Sequence, residues 1–357
     1  MYRNWVKSKV PLKFIILLSI LALSGSIYIE TSRQRVEYHD IPTQLEAART
    51  MRLAMEAIYQ ARINQGVDFN LELDPNRTGL IGKEFTPTTT TLGNLEAKRT
   101  STNPDFAALF VKYFNQLGLE KGNIIAIGGS SSFPGSILAA LSAARAMELE
   151  PLFILSLGSS MYGANLPEFN FLDMLEVLNK QEIIPYQPIG VSLGGQNDTG
   201  AGFEDEEILL DIAKSSPYPL IYNEELQLTL QERFDYYQSS AASSIKTFIN
   251  IGGSSANIGK TSAYLNLPTG LNRSLDPGFI QEEQGVLFEF AEMNIPTIHI
   301  LNIRELAQRN GIAIDPVPLP QPGVSDVYYQ VEYQTQLITL IIALILLLTI
   351  FIIKRYR

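Results

Sequence analysis

Residues Leu337 to Ile353 read LITLIIALILLLTIFII without a single charge, and KRYR follows at once. No other stretch limits the chain so strongly. Backbone polar groups in hydrocarbon must be satisfied within the segment, so a run of this kind is a helix. At about 1.5 Å per residue it nearly crosses the roughly 30 Å of a bilayer interior. Tyr333 and Tyr356 stand where interfacial aromatics belong. A second run, Val10 to Ile29, is apolar except for Lys13 and the patch Ser24-Gly25-Ser26, and Arg3, Lys7, Lys9 and Lys13 lead into it. ALSGS is a passable signal-peptide cleavage site. Because Ile27-Tyr28-Ile29 prolongs the apolar run past that site, an uncleaved signal-anchor over residues 14–30 is preferred.

The flanks carry four basic residues before the first run and three after the second (Lys354, Arg355, Arg357), with no acids. Positive-inside bias then predicts a cell-membrane protein with cytoplasmic tails at 1–13 and 354–357 and an extracytoplasmic middle. Setting those seven apart from the 27 Lys and Arg leaves 20 basic residues against all 37 acidic ones, a net charge near −17 for that middle. Such a surface repels nucleic acid, so none is expected as a partner. The chain has no cysteine, which excludes disulfides, thiolate chemistry and Cys-ligated zinc.

Between the anchors, residues 31–104 divide into a polar juxtamembrane link, a helix from Leu45 to about Ile63, and a long irregular stretch from Gln65 to Pro104. Ala48, Met51, Met55 and Ile58 set the helical spacing. An ordered loop of forty residues is unusual unless functional. From 105 to 310 the pattern becomes short apolar runs alternating with amphipathic helices. The runs are Asn123–Ile127, Leu152–Leu157, Ile189–Leu193, Leu220–Tyr222, Thr247–Ile251 and Pro296–Leu301, and four of them lead straight into Gly or Ser. Helices are predicted at Ser136–Leu149, Pro167–Lys180 and Glu204–Ser215. This spacing predicts an α/β fold, a doubly wound and mostly parallel sheet. Ligands on such sheets bind beyond the carboxyl ends of strands, where the Gly/Ser turns lie. Residues 311–336 read as a proline-stiffened linker leading to the second membrane helix at 337–353.

INIGGSSANIGKTS, Ile249 to Ser262, ends like a nucleotide-binding P-loop. Counting back from Gly259-Lys260-Thr261, however, puts Ser254 where the first Gly belongs, and Pro268 cuts short any following helix. No cofactor is expected. The repeated I-x-I-G-G-S-S is more informative. Gly128, Gly129, Ser130, Ser131 and Ser132, and Gly252, Gly253, Ser254 and Ser255, offer amides and hydroxyls suited to a carboxylate or phosphate, although Gly is also the ordinary βα turn and Ser the ordinary N-cap. Asn165, Arg273, Arg77 and Lys98-Arg99 are polar residues in otherwise plain turns; a cation beside Gly turns is a reasonable carboxylate clamp and also a common surface charge. No G-x-S-x-G elbow is present, and only two histidines exist. A Ser130/His299 pair with Asp173 or Asp198 is the weak catalytic candidate, against a packed His299. Asn197, Asp198, Glu204 and Asp205 offer ligands for a divalent ion, but an acidic cluster opening a helix is usually dipole complementarity, and no metal site is expected.

The strings DPNRTGLIGKEFTPTTTTLGNLEAKRTSTNPDFAALFV, IAIGGSSSFPGSILAAL, LGSSMYGANLPEFNFLDM, INIGGSSANIG and IPTIHILNI…IDPVPLP, spread over about residues 75–320, resemble the poly-gamma-glutamate system proteins of bacteria. The resemblance implies an accessory role in making or exporting that anionic capsule or slime polymer. The synthase or export subunits and the membrane would be its partners. No catalytic residue is carried over. The residues themselves leave three readings open: recognition of a carboxylate-bearing group by the Gly/Ser loops, a hydrolase or transferase using a loop serine, and a scaffold without a ligand.

Overall fold

The computed structural model describes residues 10–202, 206–241, 244–260, 267–275, 284–333 and 335–356. The chain divides into two units, one made of both ends up to Tyr38 and from Tyr329, the other running from His39 to Tyr328.

In the terminal unit the apolar runs form helices Leu12–Thr31 and Thr335–Tyr356, both long and apolar enough to cross a membrane. They touch where Gly25 leaves no side chain: a Cβ there would stand 3.0 Å from Ile341. The residues read as linkers inside these helices are in part strand. Gln34–Glu37 pairs antiparallel with Tyr329–Glu332, from Gln34↔Glu332 to Glu37↔Tyr329. The Arg35 guanidinium lies 3.8 Å from the Tyr329 ring.

In the larger unit the apolar runs become a six-stranded sheet: β1 Ile124–Ser130, β2 Glu150–Ser156, β3 Gly190–Ser192, β4 Phe248–Ile251, β5 Gly270–Asn272 and β6 Thr297–Ile300. Their order is β3-β2-β1-β4-β6-β5, parallel except for β5, which runs antiparallel to β6. Successive strand residues face opposite ways. Ile124, Ala126 and Phe248 point to a core shared with helices Leu226–Ser240 and Val286–Glu292, where the Phe248 and Phe290 rings stack at 4.8 Å. On the other face a Cβ at Gly129 would meet Ile137 of helix Pro134–Ala146 at 3.0 Å. Helices Ile41–Asn64 and Asp105–Gln116 pack beside that helix. The long helix buries Ala47, Ala48, Met51, Ala54, Met55 and Ile58, the spacing the sequence shows. Helix Phe171–Lys180 begins with a capping box, Asn170 and Asp173 bonding each other's backbone.

Three expectations change. Leu220–Tyr222 is not a strand of the sheet, since Leu220 makes a lone bridge to Val191. The sheet gains instead the short β5. Gly128 and Gly129 are not in a loop; they lie inside β1, paired with Ile154 and Leu155 of β2. The irregular stretch after Gln65 holds a short strand, Thr89–Thr91, parallel to Ser159–Ser160, and helix Leu95–Ser101. Glu204 and Asp205 fall outside the described residues.

Candidate functional site

The chain leaves β1 toward β2 and β3 on one side and returns to β4 on the other, so the sheet reverses direction between β1 and β4. In open α/β sheets the crevice at that reversal is where ligands bind. Here it is a cavity of about 280 Å³. Ser130 and Ser132 from the exit of β1, Ser156 and Ser160 from β2 and its exit, and Gly253 and Ser254 after β4 line it. Thr90, Asn94 and Lys98 close it from the segment that the sequence reads as irregular. The turn after β4 needs glycine: Gly252 has φ +94, and a Cβ there would approach that of Ser130 to 3.0 Å.

Serines stitch the walls together. The Ser160 amide donates to Ser132 Oγ at 2.9 Å, the Ser132 amide to Ser130 Oγ at 3.2 Å, and Ser159 Oγ to the Ser131 carbonyl at 3.1 Å. Beneath the cavity runs a fully buried ion pair. Arg233 Nη2 donates to Asp198 Oδ2 at 2.7 Å and to Ser156 Oγ at 2.9 Å, and also bonds Ser192 Oγ. Asp198 Oδ1 accepts from the Gly194 amide at 3.0 Å and from Ser192 Oγ at 2.9 Å. Arg233 Nη1 reaches Asn257, whose own amide donates to the Gly128 carbonyl at 2.9 Å. Each charge answers the other, and the pair holds the ends of β1, β2 and β3 in one arrangement.

Lys98 differs. It stands on helix Leu95–Ser101, capped by Asn94, whose side chain accepts from the Ala97 amide at 2.9 Å. The helix approaches closely because Gly135 has no side chain; a Cβ there would lie 2.6 Å from the Ser101 carbonyl. Lys98 is 2% exposed. Its Nζ bonds the Ser132 carbonyl and sits 2.6 Å from Ser160 Oγ, with the Phe133 ring 3.7 Å below. Burial brings its pKa from 10.5 down to about 7. Among the described residues no carboxylate pairs with it, and no Asp or Glu lines the cavity.

Comparison with known proteins gives no match. No family model, curated protein or solved structure matches the chain.

Of the residues singled out in the sequence, Lys98, Ser130, Ser132, Gly253 and Ser254 reach the cavity. Among the described residues, Ser254 Oγ is buried with no hydrogen-bond partner. Gly128, Gly129, Ser131, Gly252 and Ser255 shape its walls without lining it. Asn165 is a structural clamp, not a cavity residue: it is fully buried, with Oδ1 accepting from the Lys83 amide at 3.0 Å and Nδ2 donating to the Lys83 carbonyl at 2.8 Å. Arg273 is exposed and bonds the Gln116 carbonyl. His299 is no partner for Ser130 at the cavity: it is 1% exposed in β6, its Nδ1 bonds Asn250 at 2.9 Å, and burial lowers its pKa to about 4. Lys260 is exposed beyond the short helix Ser255–Ile258, and Thr261 is outside the described residues. Sequence reading missed Ser160, Ser156, Thr90 and Asn94. GSS after β2 is the only local signal that marks any of them.

Proposed function

We propose that the protein is an accessory membrane component of poly-γ-glutamate synthesis or export, and that its α/β unit, outside the membrane, holds a carboxylate-bearing ligand in the Lys98 cavity. The resemblance of residues 75–320 carries the polymer, and the basic flanks of the two apolar helices carry the topology. One observation carries the ligand class: a buried amine faces a hydroxyl-lined crevice with no acid among the described residues to answer it. A desolvated cation of that kind is stabilised by an entering anion, and Ser130, Ser132, Ser160 and Ser254 supply hydroxyls for its oxygens. The cavity admits one or two residues of a chain, so an end or a short segment of the polymer is bound, not a long stretch. The net acidity of the unit works against long-range capture, so binding relies on contact and weakens little with salt.

The test is calorimetric titration of the full chain in detergent micelles with short γ-glutamate oligomers at pH 6.5. Binding should take up a proton, because a bound carboxylate favours the ammonium, and affinity should fall by about tenfold per pH unit well above pH 7. Lys98→Met should lose at least about tenfold in affinity. Heat absent at low salt, or affinity equal in Lys98→Met, sinks the reading.

A further inference from the structure

We infer that the same cavity is also a reaction centre, in which Ser160 Oγ is the nucleophile and Lys98 Nζ its general base, acting on an amide or ester of the bound carboxylate-bearing ligand. This rests on the reading of the cavity as a ligand site and adds chemistry to it.

Three observations single out this pair. First, Ser160 is the one cavity hydroxyl bonded to an amine, at 2.6 Å, a distance at which a proton passes in either direction. Among the described residues Ser130 Oγ bonds only the Ser132 amide, and His299 is committed to Asn250. Second, the amine is held from behind. One N–H is fixed by the Ser132 carbonyl and the Phe133 ring covers a flank, which leaves the lone pair of a neutral amine to accept from the Ser160 O–H. Third, the burial that would be costly for a structural lysine keeps a substantial share of this one neutral near pH 7. Gly195 and Gly253 line the cavity, and their amides donate to no acceptor among the described residues, which makes them the candidates for a developing oxyanion.

The step balances within these groups. Ser160 Oγ attacks the acyl carbon as its proton moves to Lys98 Nζ. The C–N or C–O bond then breaks, and the departing amine or alcohol takes that proton. Ser160 is left as an ester. Water attacks the ester carbon, Lys98 receives the water's proton, and Ser160 Oγ leaves with it, restoring both side chains. An amine of a second chain in place of water makes the outcome transfer instead of hydrolysis. The charged form of Lys98 holds a carboxylate and the neutral form drives the serine, so the two activities favour opposite sides of pH 7.

The experiment treats the full chain in micelles with a fluorophosphonate, which phosphonylates an activated serine and releases fluoride, and locates the adduct by peptide mass spectrometry. The expected result is one adduct, on Ser160, forming about tenfold faster per pH unit below pH 7 and levelling above it. Ser160→Ala should give no adduct. Lys98→Arg, which keeps the charge but offers no neutral base, should label at least about a hundredfold more slowly. No adduct on the wild type, an adduct on another serine, or equal labelling of Lys98→Arg overturns the inference. Oligomer binding without labelling leaves recognition standing and removes the chemistry, whereas labelling of Ser160 without oligomer binding removes the ligand assignment.

Discussion

Replacing Lys98 with methionine should make the protein more stable at neutral pH while emptying the cavity of its cation. Burial brings this amine from 10.5 to about 7. Between those values the unfolded chain holds a proton that the folded chain lacks, so wild-type stability rises with pH from about 7 to 10.5 and this site adds no slope below. At about 1.4 kcal/mol per pH unit, folding with this lysine costs about 5 kcal/mol at pH 7 or lower. Methionine removes that cost but leaves the Ser132 carbonyl and Ser160 Oγ without the amine, at about 1 to 2 kcal/mol each. Lys98→Met should therefore gain about 1 to 3 kcal/mol at pH 7. Its advantage should shrink by about 2 kcal/mol at pH 9, where the wild-type amine is neutral in the fold. Urea unfolding of both proteins in micelles at pH 6, 7, 8 and 9, followed by the near-ultraviolet dichroism of the tyrosines, measures the difference. A difference that does not change with pH would refute the buried, unpaired amine and with it the argument for an anion.

Other consequences follow from groups near the site. Asp198→Asn removes the charge that answers Arg233 and should destabilise the protein by about 3 to 5 kcal/mol in the same unfolding assay. A loss under about 1 kcal/mol would mean that water reaches the guanidinium. His299 titrates in the opposite range: because its folded pKa is about 4 against 6.5, stability should fall as pH drops from 6.5 toward 4, by up to about 3 kcal/mol. His299→Leu should flatten that acid slope and leave fluorophosphonate labelling unchanged; a labelling rate that falls with the substitution would restore His299 to the chemistry.

The sheet was legible because its strands are short, apolar and bounded by Gly or Ser, and a parallel strand buried on both faces leaves that mark. The strand β5 left none, since Gly270-Leu271-Asn272 holds its place through pairing with β6 and not through its own propensity. Leu220–Tyr222 has strand composition, yet only Leu220 finds a partner. The site was half legible. Gly/Ser turns mark the carboxyl ends of strands, which located Ser130, Ser132, Gly253 and Ser254. Lys98 stood out only as one cation among several, because its burial is decided by Ser160, 62 residues later, and by the room that Gly135 gives its helix. Likewise Asp198, in an acid-rich stretch, is committed to Arg233, 35 residues on. Long-range pairings of single polar residues have no periodicity to read.

The pairing of Gln34–Glu37 with Tyr329–Glu332 has a thermodynamic side in a chain that has no cysteine. Everything from Tyr38 to Tyr328 leaves and re-enters at one hydrogen-bonded base. While that clasp and its two packed helices hold, the intervening residues unfold as a closed loop whose ends cannot drift apart. A disulfide closing a loop of a hundred residues or more withholds on the order of 5 kcal/mol of disorder from the denatured ensemble. Here four residue pairs stand in for the missing bridge, and they are renewed each time the ribbon re-forms, with no oxidant required.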